Sequence, residues 1–193
     1  MLMRIRSSIG PYPLSEEAWN SFVAASEGHI LQTWQWGQLK AEFGWQAVRV
    51  ALEKEGRLVA GTQVLVRSFL PGASIAYIPK GPILNFADQE TAGVLLSAIH
   101  RIARRKRAVF LKIEPEVLND PTLERRLKGL GFRPSPQTVQ PRRTIIIDLK
   151  PSLDDILARM KPKTRYNIRL SARKEVKVQE GTAADVDAFY CLL

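Results

Sequence analysis

Two strand-like segments joined by one short turn, within residues 46–69, constrain the fold more than any other feature of this chain. Residues 46–53 and 58–69 both have the composition of β-strands. The connection, KEGR at residues 54–57, contains a glycine where a tight hairpin turn needs one. A turn at residues 71–73 leads into a third predicted strand at residues 74–78. The sequence therefore predicts an antiparallel meander.

Helical segments surround this meander. Helices and strands in such an order predict an α/β chain of the mixed α+β type, with a mixed, mainly antiparallel sheet and helices on both faces. The segment ERRLKGLGF at residues 124–132 resembles a junction near the end of many acetyltransferase (GNAT) domains. The predicted helices are residues 15–25, 33–43, 88–105, 121–130, 152–160, one from about 164 and one from about 183; further strands are predicted at 108–114, 143–149 and 176–179.

Composition narrows the class of partner. With 193 residues and 45% hydrophobic content, the chain can form a substantial globular core. A net charge of +10 favours polyanions such as nucleic acid, a phosphate-bearing ligand or an anionic membrane surface. The single cysteine, Cys191, excludes an intrachain disulfide framework and fits a reducing cytoplasm. No zinc-type Cys/His cluster occurs in the sequence, and no window resembles a membrane-spanning helix.

The strongest charge pattern lies at residues 160–177, where basic residues recur at helical spacing. Arg165, Arg169 and Arg173 are four residues apart and therefore share one face of a helix. Lys163 and Thr164 lie near the predicted helix start, where free backbone N–H groups favour phosphate. The pattern fits an anion site, and it equally fits a solvated basic surface.

Three segments resemble a known family. They are LQTWQWGQLKAEFGW at residues 31–45, YIPKGPIL at 77–84 and MKPKTRYNIRLSARKEVKV at 160–178. They are similar to signature segments of the FemABX family of peptidoglycan interpeptide-bridge aminoacyltransferases, in the same order. The resemblance implies transfer of an amino acid from aminoacyl-tRNA to the stem peptide of a peptidoglycan precursor, on a fold of two acetyltransferase-like halves.

The resemblance also implies partners and a site. The precursor would be UDP-MurNAc-pentapeptide or its lipid-linked form, and its diphosphate would bind near Lys40 and the start of the basic helix. The stiff YIPKGPIL loop would form a wall of the precursor cleft. We expect a cytoplasmic protein with peripheral contact to the inner membrane face, without cofactor, metal or DNA. The expected substrate-binding residues are Lys40, Tyr77, Lys80, Lys163, Thr164, Arg165 and Arg169.

The final residues bear on domain organisation. We expect residues 1–180 to form a first acetyltransferase-like domain, and residues 181–193 to begin an interrupted helix with a second domain missing. Val186, Phe189, Tyr190 and Leu193 would lie on one side of that helix. The alternative is a short natural protein whose last helix ends at the surface.

Two other functions stay open at this stage. A CoA-dependent acetyltransferase would share the fold, but the sequence lacks that superfamily's CoA-binding glycine pattern after the strand at residues 58–69. A basic nucleic-acid-binding module would explain the charge, including the run at residues 104–107. Glu114 and Glu116 could line a cleft, but the sequence identifies no catalytic residue.

Overall fold

A computed structural model of the chain describes residues 3–8, 13–118 and 120–192. The chain divides into two units, Met1–Arg142 and Arg143–Leu193. The sequence placed a domain boundary at residue 180 and expected a second domain beyond it, and both statements stay predictions. Leu193, expected on the apolar side of the last helix, lies outside the described residues.

One sheet organises the first unit, and its strands follow chain order from one edge to the other. The first four strands pair with one another in antiparallel fashion, whereas the fourth and fifth strands are parallel. The predicted hairpin is confirmed, because Glu55 and Gly56 have φ values of 52° and 77°, which a two-residue type I′ turn requires. The strands are β1 (Arg4–Ser7), β2 (Gln46–Lys54), β3 (Arg57–Leu70), β4 (Ala73–Pro79) and β5 (Ala108–Glu114).

The helices lie close to their predicted positions. Ser15 and Asp88 cap the first and third helices, each with a side-chain oxygen that accepts a backbone N–H. None of the helices described is long and apolar enough to cross a membrane. They are α1 (Glu16–Ala25), α2 (Trp34–Glu42), α3 (Gln89–Arg105), α4 (Pro121–Gly129), α5 (Leu153–Arg159), α6 (Pro162–Arg173) and α7 (Val186–Cys191), with 3₁₀ turns at Ile30–Gln32 and Ala183–Asp185.

Both faces of the sheet are covered by helices. Alternate residues of β2 point to opposite faces, so Val50 and Leu52 pack in the cluster that includes α3. Ala51 packs on the other face with Trp19 and Phe22 of α1. The parallel pair β4 and β5 is joined through α3, as a crossover requires. The predicted mixed sheet, mainly antiparallel with helices on both faces, is confirmed.

Two predicted strands are wrong. Residues 143–149 and 176–179 have no strand structure, and Ile145 and Ile146 are 87% and 91% exposed. Isoleucine and valine favour a pleated, half-buried surface, but a strand forms only where a neighbour completes its hydrogen bonds. Neither segment pairs with a strand among the residues described. Conversely, the short edge strand β1 is present without having been predicted.

Candidate anion-binding site

Helix α6 presents a row of arginines along one side. It begins at Pro162, two residues before the predicted start, and proline is favoured there because the first helical N–H has no intrahelical partner. Arg165, Arg169 and Arg173, together with Pro162 and Tyr166, line an open groove of about 650 Å³. The Arg173 guanidinium lies 6.0 Å from the centroid of the Tyr166 ring. The predicted common face is therefore present, with an aromatic ring in it.

Arg165 differs from the other arginines in this row. Its Nη1 donates to the backbone oxygens of Ala158, at 3.1 Å, and Met160, at 2.5 Å. Carbonyl groups at the end of a helix lack intrahelical partners, so Arg165 satisfies the end of α5 and fixes its turn into α6. Lys163, Thr164 and Arg169 are exposed, and none makes a side-chain hydrogen bond or ion pair with the residues described.

Lys40 lies in the last turn of α2 between two indole rings. Its Nζ is 5.5 Å from the ring centroid of Trp36 and 5.7 Å from that of Trp45. The guanidinium carbon of Arg67, on β3, lies 5.7 Å from the same Trp45 centroid. We call these four residues the tryptophan–cation cluster. The Lys40 side chain is half-buried, and its ammonium and the Arg67 guanidinium both lie near the Trp45 ring.

The YIPKGPIL loop, which its two prolines predict to be stiff, is anchored at both ends by hydrogen bonds. The buried Gln32 donates from Nε2 to the Pro79 oxygen at 2.5 Å. Gly61 and Ile83 exchange two backbone hydrogen bonds of 2.9 Å. Between these anchors, Lys80 has a φ of 49° and places Nζ 3.3 Å from both carboxylate oxygens of Glu116. The structure thus fixes Lys80 at the end of β4.

The Tyr77 hydroxyl is hydrogen-bonded to another side chain of the protein. Its hydroxyl donates to Glu114 at 2.6 Å, and the same carboxylate accepts the backbone N–H groups of Val139 and Gln140 at 2.8 and 3.0 Å. Burial, and then the bond to Glu114, raise the pKa of Tyr77. Burial alone would raise the pKa of Glu114, but these hydrogen bonds and the nearby Lys112 charge outweigh it and hold that pKa below its usual value.

This geometry assigns a structural task to Tyr77 and Glu114. Together they tie residues 139–140 to the end of β5. The sequence shows Glu114 at a strand end but does not reveal these partners. The substrate-binding role predicted for Tyr77 stays a prediction, and its hydroxyl already has an acceptor.

Comparison with protein-family models shows the family of this chain. The model of the FemAB family matches residues 14–128 and 124–193, which is nearly the whole chain. The chain belongs to the FemAB family. The resemblance seen in the three sequence segments is thereby confirmed.

Curated relatives support the same FemAB assignment. The chain is 26% identical over 188 residues to a Lipid II:glycine glycyltransferase of Staphylococcus aureus (strain MRSA252). This match covers 91% of this chain and 44% of that protein. It is 27% identical over 173 residues to the protein of the same name from strain USA300, covering 84% and 41%. The FemAB chain thus spans less than half the length of these relatives.

Solved structures confirm the fold. The crystal structure of FemX superposes with a TM-score of 0.77 at 24% identity, covering 98% of the FemAB chain and 48% of FemX. An acetyltransferase from Trypanosoma brucei gives a TM-score of 0.50 at 14% identity, covering 73% of this chain and 99% of its own. The acetyltransferase-like architecture predicted from the order of elements is therefore correct.

In this FemAB chain, the predicted site residues fall into two groups. Lys40, Tyr77 and Lys80 belong to the first unit. The second group lies in the first two turns of α6 and consists of Lys163, Thr164, Arg165 and Arg169. Their role in binding substrate stays a prediction. Sequence reasoning did not place Arg67 near Trp45, because no motif connects a residue of β3 with the end of α2.

The stability that the hydrogen bonds of Glu114 contribute should depend on pH. Replacing Glu114 with glutamine is expected to lower the free energy of unfolding at neutral pH by about 1–3 kcal/mol, because a backbone N–H then faces the side-chain NH2 group, which cannot accept from it. Folding lowers the Glu114 pKa, so the carboxylate stabilises above its unfolded pKa of about 4.3, and this stabilisation is lost as pH falls through the folded value. The difference between the two proteins should shrink on acidification.

Urea unfolding at neutral pH and at about pH 3 measures this difference. The matched control is Glu116→Gln, since that carboxylate is 49% exposed and its substitution should change the free energy of unfolding little at either pH. A loss for Glu114→Gln that is equal at both pH values would contradict the assignment.

Proposed function

We propose that this FemAB chain belongs to an aminoacyltransferase that adds an amino acid from aminoacyl-tRNA to the stem peptide of a peptidoglycan precursor. The observation that carries this proposal is the match to Lipid II:glycine glycyltransferases over 91% of the chain. The acceptor would be bound as UDP-MurNAc-pentapeptide or as its lipid-linked form. A lipid-linked acceptor would bring the protein to the inner face of the membrane, where a net charge of +10 favours contact with anionic lipids.

The proposed reaction requires the enzyme to position its two substrates and does not require a nucleophile from the protein. An amine attacks the activated ester of an aminoacyl-tRNA, so the enzyme must align the two groups, remove a proton from the amine and stabilise the oxyanion. The contribution proposed for this chain is to hold the acceptor by its diphosphate. Cationic side chains suit that task because charge-assisted hydrogen bonds to phosphate are stronger than neutral ones.

Two parts of the chain supply such groups. Lys40 is held between indole rings in the first unit, and Lys163, Thr164 and Arg169 are exposed at the start of α6. Within α6, Nη1 of Arg165 already serves the end of α5, so Arg169 is the more available of these two arginines for a phosphate. Tyr77 and Lys80 would shape the wall of the acceptor cleft at the end of β4.

A CoA-dependent acyltransferase is the second candidate, favoured by the match to an acetyltransferase fold. Its cofactor would need a run of backbone N–H groups for the pyrophosphate. The sequence lacks the CoA-binding glycine pattern after β3, and the segment at the end of β4 contains Pro79 and Pro82, which have no N–H, and is already anchored by Gln32 and Gly61. The local geometry therefore favours the precursor over acetyl-CoA.

Calorimetric titration of the 193-residue chain with UDP-MurNAc-pentapeptide tests the proposal, with acetyl-CoA and an unrelated RNA as comparison ligands. Arg169→Ala and Lys40→Ala are each expected to weaken precursor binding by about 1–3 kcal/mol through loss of a charge-assisted hydrogen bond. Arg165→Ala should weaken binding less than Arg169→Ala does and should lower the melting temperature, because it releases the end of α5.

The control is Arg57→Ala, an exposed arginine at the hairpin end of β3, which should bind like the unsubstituted chain. Unchanged affinity in both Arg169→Ala and Lys40→Ala would show that the site is placed wrongly. Binding of acetyl-CoA or RNA in preference to the precursor would replace the proposal with the corresponding alternative.

A further inference from the structure

The turn between β3 and β4 exposes apolar side chains at its tip. Phe69 and Leu70 end β3 with 53% and 61% of their surface exposed, and Pro71 and Gly72 of the turn are exposed as well. The turn at the other end of β3, residues 54–57, has the polar composition that is usual for a surface turn. Adjacent apolar residues that water surrounds commonly mark an interaction site. The β3–β4 turn therefore has the composition of a contact surface.

A second turn, between α3 and β5, brings cations beside this apolar tip. The backbone N–H and the hydroxyl of Ser74, at the start of β4, donate to the backbone oxygens of Arg107 and Lys106 at 3.1 and 2.6 Å. A Cβ on Gly72 would lie 3.2 Å from Nη1 of Arg107, so this guanidinium lies against the apolar turn. We call the two turns together, residues 69–72 and 105–107, the basic–apolar edge.

The cations of the basic–apolar edge are not neutralised within the described part of the chain. No aspartate or glutamate occurs in residues 56–87 or 91–113, which include both turns. Arg105, Lys106 and Arg107 make no ion pair with any carboxylate described. An apolar tip with uncompensated cations at its side is complementary to an anionic lipid surface, because the headgroups attract the cations and the interface accepts the apolar side chains.

We propose that the basic–apolar edge binds the surface of an anionic lipid bilayer, with Phe69 and Leu70 in the interface and the three cations at the headgroups. The inference rests on the proposed function, because a lipid-linked acceptor gives this contact its use, and it names the surface of the chain that faces the membrane. Arg67 lies two residues before Phe69 and contacts Trp45 in the tryptophan–cation cluster, which also contains Lys40. A bilayer at the β3–β4 turn would therefore lie near a residue proposed to hold the acceptor.

The composition of the basic–apolar edge favours a lipid surface over RNA or a second copy of the chain. Single-stranded RNA binds where cations alternate with aromatic rings on which bases stack, but Leu70 and Pro71 are not aromatic. A two-fold contact between copies would place identical surfaces together and bring the same cations against one another. An anionic bilayer is complementary to both the charge and the apolar tip.

Vesicle sedimentation of the 193-residue chain tests the inference without any precursor. The probes are vesicles of phosphatidylcholine alone and vesicles of phosphatidylcholine mixed with phosphatidylglycerol, which is anionic. The apolar variant combines Phe69→Ser with Leu70→Ser, and the charge variant combines Lys106→Gln with Arg107→Gln. A third variant, Phe69→Trp, reports insertion of the tip through tryptophan emission.

Each double variant has a matched control elsewhere on the first unit. The apolar control combines Val117→Ser with Leu118→Ser, two adjacent residues beyond the opposite end of β5 that are 49% and 91% exposed. The charge control combines Lys54→Gln with Arg57→Gln, in the turn at the opposite end of β3. Each control makes the same number of changes of the same chemical kind as its test variant.

The unsubstituted chain is expected to bind the anionic vesicles and to bind phosphatidylcholine alone far more weakly. The charge variant should lose affinity for the anionic vesicles by about fivefold for each cation removed, the factor for a cation near such a surface. The apolar variant should lose about tenfold, and its remaining binding should disappear at high salt, which screens the charges. Both controls should bind within about twofold of the unsubstituted chain. Emission of Phe69→Trp should shift to shorter wavelength with anionic vesicles, beyond any shift of the unsubstituted chain.

Failure of this inference can be distinguished from failure of the proposed function. Absent vesicle binding, equal vesicle binding by each double variant and its control, or an unshifted Phe69→Trp emission would overturn the inference, and precursor binding in solution would still support the proposed function. Vesicle binding that depends on the edge, without precursor binding, would support the membrane surface and reject the proposed function. Self-association that only the apolar variant abolishes, without vesicle binding, would assign the edge to a second copy. Binding of single-stranded RNA that depends on Lys106 and Arg107 and is tighter than vesicle binding would overturn the lipid assignment.

Discussion

Replacing Gln32 with alanine is expected to lower the free energy of unfolding by about 3–5 kcal/mol, because several buried groups lose their partners together. Gln32 is 0% exposed. Its Nε2 donates to the Pro79 oxygen, and its Oε1 accepts from the backbone N–H of Gln63 at 2.8 Å and from the Thr62 hydroxyl at 3.3 Å. Each buried group left unsatisfied costs roughly 1–3 kcal/mol, and the alanine also leaves a cavity.

Thermal unfolding followed by circular dichroism measures the effect, and a fall of roughly 10 °C in the midpoint is expected for a chain of this size. Gln38→Ala is the matched control, since Gln38 is exposed on α2 and has no side-chain hydrogen bond within the described residues. It should change the midpoint by no more than about 1 °C. If the two variants melt together, the carboxamide of Gln32 does not anchor the loop after β4.

Gln32 illustrates what the sequence could not reveal. The hairpin of β2 and β3 and the ends of α1 and α3 could be predicted because their signals are local: alternation, a glycine in the turn and capping side chains. The partners of the Gln32 side chain are 30, 31 and 47 residues away along the chain. Nothing in the segment 31–45 distinguishes this glutamine from Gln35 or Gln38, since burial depends on how the 3₁₀ turn meets the sheet.

In the candidate site, too, the features fixed by local sequence could be predicted, whereas the contacts with other elements could not. Helical spacing correctly predicts that Arg165, Arg169 and Arg173 share a face, because the period of the helix fixes it. It does not predict that Arg165 turns toward the end of α5, which depends on the backbone direction at residues 160–161. The strand predicted at residues 143–149 failed for a related reason: its apolar composition is local, but a pairing strand is not.

Substitution of Gly37 by alanine is the second change with a large expected effect. A Cβ at this position of α2 would lie 2.3 Å from Nη2 of Arg49, 2.4 Å from Oε1 of Gln63 and 2.8 Å from the Cβ of Ala47. Arg49 cannot move aside cheaply, because it is 5% exposed, stacks 3.7 Å from the Trp34 ring centroid and donates to the Trp34 oxygen at 2.9 Å. The overpacking should cost about 2–4 kcal/mol.

The charge on Arg49 makes its displacement costly as well. Burial lowers the pKa of Arg49 to about 10, despite the opposing effect of Glu16, so the guanidinium is still charged at neutral pH. A buried charge that loses its hydrogen-bond partner is strongly destabilising. The substitution should therefore separate the start of α2 from β2 rather than only shift one side chain, and precursor binding through Lys40 on the same helix should weaken with it.

Gly93→Ala is the control, and its expected change in the free energy of unfolding has the opposite sign. Gly93 also lies within a helix, α3, but a Cβ there would meet no atom within 4 Å. Alanine has the higher helix propensity, so this variant should be more stable by about 0.5–1 kcal/mol. Urea unfolding of the two variants side by side separates helix propensity from packing, since both make the same chemical change. If Gly37→Ala stabilised the chain as Gly93→Ala does, α2 would not pack against β2 at Gly37, and the position of Lys40 would have to be determined by the tryptophan rings alone.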